Sequence, residues 1–247
     1  MSHNYKIFAF RAIDEPKLCD QYVTGHVKVL TDYGIKNITS NNNTWINNPH
    51  IYCLGLKDIE TNELLGGIRI QLADGKDPLP VEVAIGHLDN NIYTMVENYA
   101  YNGNVGELSG LWVNNKLKGL GFGPHLVRAS IASSNQLNFK TLIGICAGYS
   151  LKMFNEVGFI IDKTLGEKGN FPYPNANYIA HVVGILNAIT LQSACTYDKD
   201  IMKYLRENNI QSQNHIFPEY EVKINYDLRY LNIVPLNYIS LTKTKIK

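Results

Sequence analysis

The densest chemistry in this 247-residue chain lies in six consecutive residues, Lys118-Gly119-Leu120-Gly121-Phe122-Gly123. Glycine at alternate positions removes β-carbons, so successive peptide N–H groups can converge on one point. Pro124 follows, suited to the first helical position, and Leu126, Val127, Ile131 and Leu137 recur at helical spacing. A helix start behind bare amides is an anion site, most often for phosphate, and Lys118 adds a charge beside it. Two phosphate motifs are excluded by spacing. A P-loop needs Gly-Lys-Ser/Thr after a four-residue interval, and no such run occurs. A dinucleotide fingerprint needs an acid about 20 residues on. From Leu108 to Asn155 there is no Asp or Glu, while Lys116, Lys118, Arg128, Lys140 and Lys152 make the stretch basic. A polyanion held by amides and lysines fits; a nicotinamide cofactor does not.

Other reactive residue types are scattered. His125 has no partner at metal-ligand spacing and reads as a surface helix residue, whereas His181, in an apolar strand, reads as a hydrogen-bonded core histidine. Cys19, Cys53, Cys146 and Cys195 form no CxxC pair, which points to a reducing compartment and no structural metal. The net charge of +1 gives no general pull toward nucleic acid or an anionic membrane. No signal-like start and no 18-residue apolar run occurs, so a cytoplasmic protein without a membrane span is expected.

The elements that must position the turn follow from periodicity. Strands are expected over Tyr5–Ile13, Ile51–Lys57, Leu64–Leu72, Val105–Val113, Tyr178–Ile189 and Tyr220–Ile233, with another between the two central helices. Helices are expected over Lys17–Tyr33, from Pro124, through Phe154, and over Lys199–Glu207 with Asp198 as its cap. The pair at 51–72 reads as a hairpin, 37–49 and 166–177 as loops, 81–99 as helical spacing broken at Asp89-Asn90-Asn91, and the tail KTKIK as frayed. The sequons at Asn37 and Asn42 carry little without a secretory signal. No repeat or linker appears. One mixed α/β domain over 1–247 is expected, a single sheet with helices on its faces.

The strand LWV, then Lys118 and a G-x-G-x-G turn opening a helix, resembles the acyl-CoA signature of the GNAT N-acyltransferase superfamily, Arg/Gln-x-x-Gly-x-Gly/Ala. Lys118, Gly121 and Gly123 match it, with Lys at the first place. Phe154-Asn155-Glu156-Val157-Gly158-Phe159 is similar to the closing Tyr-x-x-x-Gly-Phe helix of that superfamily, with Phe154 in place of Tyr. The resemblance implies an α/β (α+β) fold, a mostly antiparallel sheet splayed beside the turn, with a core over about 5–190 and an extension over about 190–247. It implies acetyl-CoA or another acyl-CoA as co-substrate, no metal, and a small primary amine as acceptor. Pantetheine would pair with Leu111, Trp112 and Val113, and the diphosphate would lie on Lys118, Gly119, Leu120, Gly121, Phe122 and Gly123.

Acyl transfer from a thioester to an amine needs a neutral amine, a polarised carbonyl and a proton for the leaving thiolate. Glu107 is the candidate base, acting through water; an ion-paired or solvent-edge strand residue is the alternative. Phe154 cannot donate, so Tyr149, at the start of the same helix, is the candidate acid, with a packing tyrosine as the alternative. No cysteine sits at a nucleophile position, which favours direct transfer in a ternary complex. Glu107-Leu108-Ser109-Gly110-Leu111-Trp112-Val113 also resembles the E-x-S-R-x-x-V strand of acyl-homoserine-lactone and N-acyl amino acid synthases, with Gly110 at the arginine position. That second resemblance implies longer acyl groups and an acyl carrier protein as partner. The extension after Ile189 leaves open an acyl pocket or an interface shared in a homodimer. A non-catalytic acyl-CoA sensor is the competing class.

Overall fold

Alternating aromatic and branched residues near the N-terminus form β1 (Ser2–Arg11), broken by a short 3-10 turn before Pro16 opens α1 (Pro16–Asp32). The computed structural model describes residues 2–34, 43–216 and 221–239, so residues 37–42 of the loop expected over 37–49, the sequon asparagines Asn37 and Asn42, and the frayed tail lie outside the described residues, while 44–47 of that loop form a 3-10 turn. The expected hairpin is present as β2 (Ile51–Asp58) and β3 (Leu64–Leu72). The 81–99 segment divides into α2 (Pro80–Ile85) and α3 (Asn91–Tyr101), parted where Asp89 Oδ1 accepts the Asn91 N–H.

The central block runs β4 (Val105–Val113), α4 (Phe122–Ala132), α5 (Ser134–Leu137), β5 (Thr141–Ala147) and α6 (Leu151–Glu156). Helix α4 begins at Phe122, so Pro124 occupies its third position rather than its first; within the first turn a missing N–H still breaks no helical bond. Beyond it come β6 (Ile160–Ile161), β7 (Asn170–Pro172) inside the expected loop, β8 (Ile179–Ile185), α7 (Thr196–Glu207), β9 (Ile210–Ile216) and β10 (Glu221–Asp227). Asp198 is not the cap of α7, which starts at Thr196. Its buried carboxylate instead bonds Arg128 on α4, 2.5 Å away, and locks the two helices together. The last expected strand stops at Asp227, and β9 was not anticipated.

The strands form one sheet in the order β6-β8-β5-β4-β3-β2-β1-β10-β9, with β7 on β8. Only β4–β5 and β1–β10 run parallel; the other pairs are antiparallel. Side-chain alternation gives the sheet two unlike faces. Leu54, Ile70 and Leu108 pack on one face beneath α4, in a core that α7 shares. On the other, α1 covers Cys53 and Trp112, and α2 and α3 cover Val105 and Ile143, as two separate apolar clusters. Between those clusters the register lines up Cys53, Arg69 and Ser109 in one row and Ile51, Gln71 and Glu107 in the next.

Candidate active site at the splayed strands

Pairing of β4 with β5 stops at Leu108 and Gly144, although β4 runs on to Val113 and β5 to Ala147. The cause is local. The register of β3 against β4 shifts between Gly67 and Arg69, leaving Gly110 and Leu111 opposite Ile68 alone, a β-bulge. Gly110 has φ +61°, which a side chain adopts only with strain, and a β-carbon there would meet the Tyr22 hydroxyl at 2.8 Å. The Tyr22 hydroxyl donates to the Gly110 carbonyl and pins the bulge from α1. Past Leu108, β4 therefore leans away from β5 and presents unpaired backbone to a cleft of about 310 Å³.

Glu107, Ser109, Gly110 and Leu111 line this cleft from β4, Cys146 and Ala147 from β5, and His26 from α1. Glu107 is 2% exposed, and its Oε2 accepts the Val81 N–H at 2.8 Å from the first turn of α2. It makes no ion pair with a described residue and does not stand at a solvent edge. Burial pushes its carboxyl up to about 8, outweighing the Val81 hydrogen bond and the Arg69 charge, which both pull it down. Near neutrality it holds a proton, and above about 8 it can take one.

A second cavity, of about 380 Å³, continues the trough past Pro80 and is lined by Trp45, Asn48, Arg69, Gln71 and Asp77. Arg69 is 3% exposed, yet no carboxylate of the described chain lies within ion-pair distance. Its Nε donates to Ser109 Oγ at 3.0 Å, and its guanidinium carbon lies 4.7 Å from the Trp45 ring centroid. A buried cation without a counter-charge is costly unless something supplied to the cavity balances it.

The glycine turn stands open at the other end of β4. Gly119 and Gly121 have φ +85° and +70°, and a β-carbon at either would meet nothing within 4 Å. Lys118 and Leu120 give their N–H groups to the Asn115 and Leu117 carbonyls, whereas those of Gly119 and Gly121 meet no backbone acceptor among the described residues. Gly123 abuts Met153 of α6, the helix whose Phe154 lines the cleft, so turn and cleft adjoin. Leu111 and Val113 are half-buried and Trp112 is buried under α1; Lys118 is exposed.

Tyr149 stands at the cleft mouth and is 90% exposed. His125, expected at the surface, is buried: its Nδ1 lies 2.8 Å from the Tyr226 hydroxyl on the α4 face, away from the cleft. His181 is half-buried, and its Nδ1 lacks the hydrogen bond expected for it. Among the described residues, no cluster of three or more His, Cys, Asp or Glu is placed to hold a metal, and no helix is long and apolar enough to cross a membrane.

Solved structures share this fold. The chain overlays FeeM, an N-acyl amino acid synthase from uncultured soil microbes, with TM-score 0.59 at 15% identity over 75% of this chain and 92% of that one. It overlays BjaI, a CoA-dependent acyl-homoserine lactone synthase, with TM-score 0.54 at 12% identity, covering 91% and 96%. An acyl-CoA N-acyltransferase from Pseudomonas aeruginosa gives 0.51 at 11%, covering 73% and 98%. This is the GNAT fold. No protein-family model and no curated protein sequence matches the chain.

Three floor residues of this GNAT fold escaped the sequence reading: His26, Arg69 and Gln71. One signal was available. Leu64–Leu72 reads LLGGIRIQL with all nine positions buried, and an arginine inside such a strand needs a reason. His26 left no comparable mark, because a histidine in an ordinary helix looks like any half-polar residue.

Proposed function

We propose that the protein is an N-acyltransferase that moves an acetyl or short acyl group from acyl-CoA to a primary amine, directly, in a ternary complex. The observation that carries this reading is the split between β4 and β5 beyond Leu108 and Gly144, with the open amide turn at its end. Pantetheine would lie along the free backbone of Leu111–Val113, and the diphosphate against Lys118–Gly123. BjaI has been solved with isopentyl-CoA, which supports a CoA donor bearing a short acyl group.

The acceptor enters the adjoining cavity. Arg69, buried and unpaired, favours an amine that also bears a carboxylate, and the likeness to an N-acyl amino acid synthase supports that class. Glu107, ionising near 8, takes the proton of the incoming ammonium through water, and the exposed Tyr149 supplies one to the thiolate.

Thermal shift with acetyl-CoA, longer acyl-CoAs and NAD tests the donor: the CoA species should stabilise the protein and NAD should not. Free-thiol release across a panel of carboxylate-bearing and plain amines tests the reaction. Binding without release across the whole panel would make the protein an acyl-CoA sensor instead.

A further inference from the structure

We propose that His26 is a second proton acceptor in this transfer, its imidazole facing the acceptor amine and taking the proton that the nitrogen sheds as the new C–N bond forms. The role rests on the N-acyltransferase reading above. Its geometry stands on α1. A β-carbon on Gly25 would come within 2.1 Å of the Trp112 ring, so the helix backbone lies directly on β4. Tyr22 anchors to the Gly110 carbonyl, and His26, four residues later, shares that helix face. It is 7% exposed and lines the cleft together with Glu107, Ser109 and Gly110. No hydrogen bond joins its ring to a described residue; its one ring contact is Tyr22, with centroids 6.3 Å apart. An imidazole at the cleft wall with no bonding partner in the described protein is a ready partner for a ligand N–H.

Two protons leave an ammonium on its way to an amide, and they differ greatly in acidity. The first, on an alkylammonium with a pKa of roughly 10 like that of lysine, needs the stronger base, Glu107. The second sits on a nitrogen already bonded to the acyl carbon and is far more acidic, so a weak base suffices. His26 is such a base: burial first, then the Arg69 charge, lower it to about 4, leaving it neutral and able to accept. The groups around it are Tyr22 on its own helix, Arg69 on β3, Glu107 on β4, Cys146 on β5, and Tyr149 and Tyr173 on the cleft walls. Environments that push two titratable groups apart divide acid–base work between them. In the step itself the C–N bond forms, the C–S bond breaks and one nitrogen proton passes to the imidazole. The thiolate takes its proton from Tyr149, and His26 returns its own through cleft water to the Tyr149 oxygen, so charge and atoms balance.

The test uses the full chain with acetyl-CoA and a carboxylate-bearing amine that the wild type acylates. His26→Ala and His26→Gln should lower kcat about 100-fold or more while leaving acetyl-CoA affinity unchanged. Added imidazoles of graded basicity should restore turnover to His26→Ala, more strongly the more basic they are. Wild-type kcat in either variant would overturn the role. So would loss of acetyl-CoA binding, or an equal rescue by imidazole and by the weakly basic pyrazole, since each marks His26 as a packing group. A wild type that binds acyl-CoA yet releases no thiol with any amine removes the transferase reading, and this role with it.

Discussion

Two sets of buried polar groups, one beneath α4 and α7 and one beneath α1 and α2, are bonded in different ways. Beneath α4 and α7, Arg128 meets Asp198, His125 meets Tyr226, Ser130 donates to the Leu126 carbonyl, and Ser133 Oγ lies 2.9 Å from the Ala129 carbonyl. Each of these contacts is made within the protein. Beneath α1 and α2, Arg69, Glu107 and His26 are buried just as deeply, but their bonding is incomplete and all three line open cavities. Satisfied burial builds structure; unsatisfied burial beside a cavity marks a site. Mutations on the first face should therefore alter stability, and on the second, kinetics.

The largest expected effect is at Glu107. Glu107→Gln keeps shape and burial and should lower kcat by roughly 10²–10⁴-fold with acyl-CoA affinity intact. In the wild type the rate should rise with pH through about 8, as the buried carboxyl ionises, and the variant should lose that limb. Stability runs the other way. The folded-state value lies above the ordinary 4.5, so the unfolded chain ionises first; this group's stabilisation is complete below 4.5 and is lost as pH rises toward 8. Urea unfolding of Glu107→Gln across that window should show the slope removed. A variant with normal turnover would break the division between the faces at its strongest point.

The next comparison sets one charged residue from each face against the other. Asp198→Ala strands Arg128, whose side chain is only 14% exposed, and should cost about 3–5 kcal/mol in urea unfolding, with the KM of the folded fraction unchanged. Arg69→Met removes a buried cation that has no protein counter-charge, so it should cost little stability or add some. Its effect should appear in the KM for a carboxylate-bearing amine, raised roughly 10- to 100-fold for the loss of a charged hydrogen bond. An amine without the carboxylate should not register the change. The reverse pattern, Arg69→Met unstable and Asp198→Ala impaired only in catalysis, would invert the assignment of the two faces.

How much of this the sequence carried depends on distance along the chain. The turn Lys118–Gly123, the strand before it and the helix after it are contiguous, so glycine spacing and apolar period disclosed them. The hairpin was equally local. The trough is assembled from Arg69, Gln71, Glu107 and Ser109, which sheet register brings together, and from His26, which the packing of α1 on the sheet adds. Of its members Glu107 alone was foreseen, through its place on the strand that leads to the turn. Strand β9 was missed because IQSQNHI offers no continuous apolar face, and β10 ended early because pairing with β1 stops at Asp227. Asp198 was misassigned as a cap since the sequence shows an acid near a helix start but not the arginine 70 residues away that claims it.

The smallest expected effect is also the cleanest contrast, because the same atom is removed from each face. Ser133→Ala deletes a hydroxyl buried between the Ala129 carbonyl and the Tyr230 hydroxyl, 3.3 Å off, and should cost about 1 kcal/mol in urea unfolding with no kinetic change. Ser109→Ala deletes the hydroxyl that accepts from Arg69 Nε and holds the guanidinium toward the cavity. Arg69 then regains rotational freedom in the unliganded site, so the acceptor KM should rise about 3- to 10-fold, while stability should hold within about 0.5 kcal/mol. The measurement is a paired one, unfolding midpoint against acceptor KM for both variants at one pH. Equal stability losses with unchanged KM in both would mean that Ser109 is ordinary packing and that Arg69 is oriented by Trp45 alone. A KM shift confined to Ser109→Ala would instead tie the orientation of a buried cation, through one hydroxyl on the bulged strand, to recognition of the acceptor.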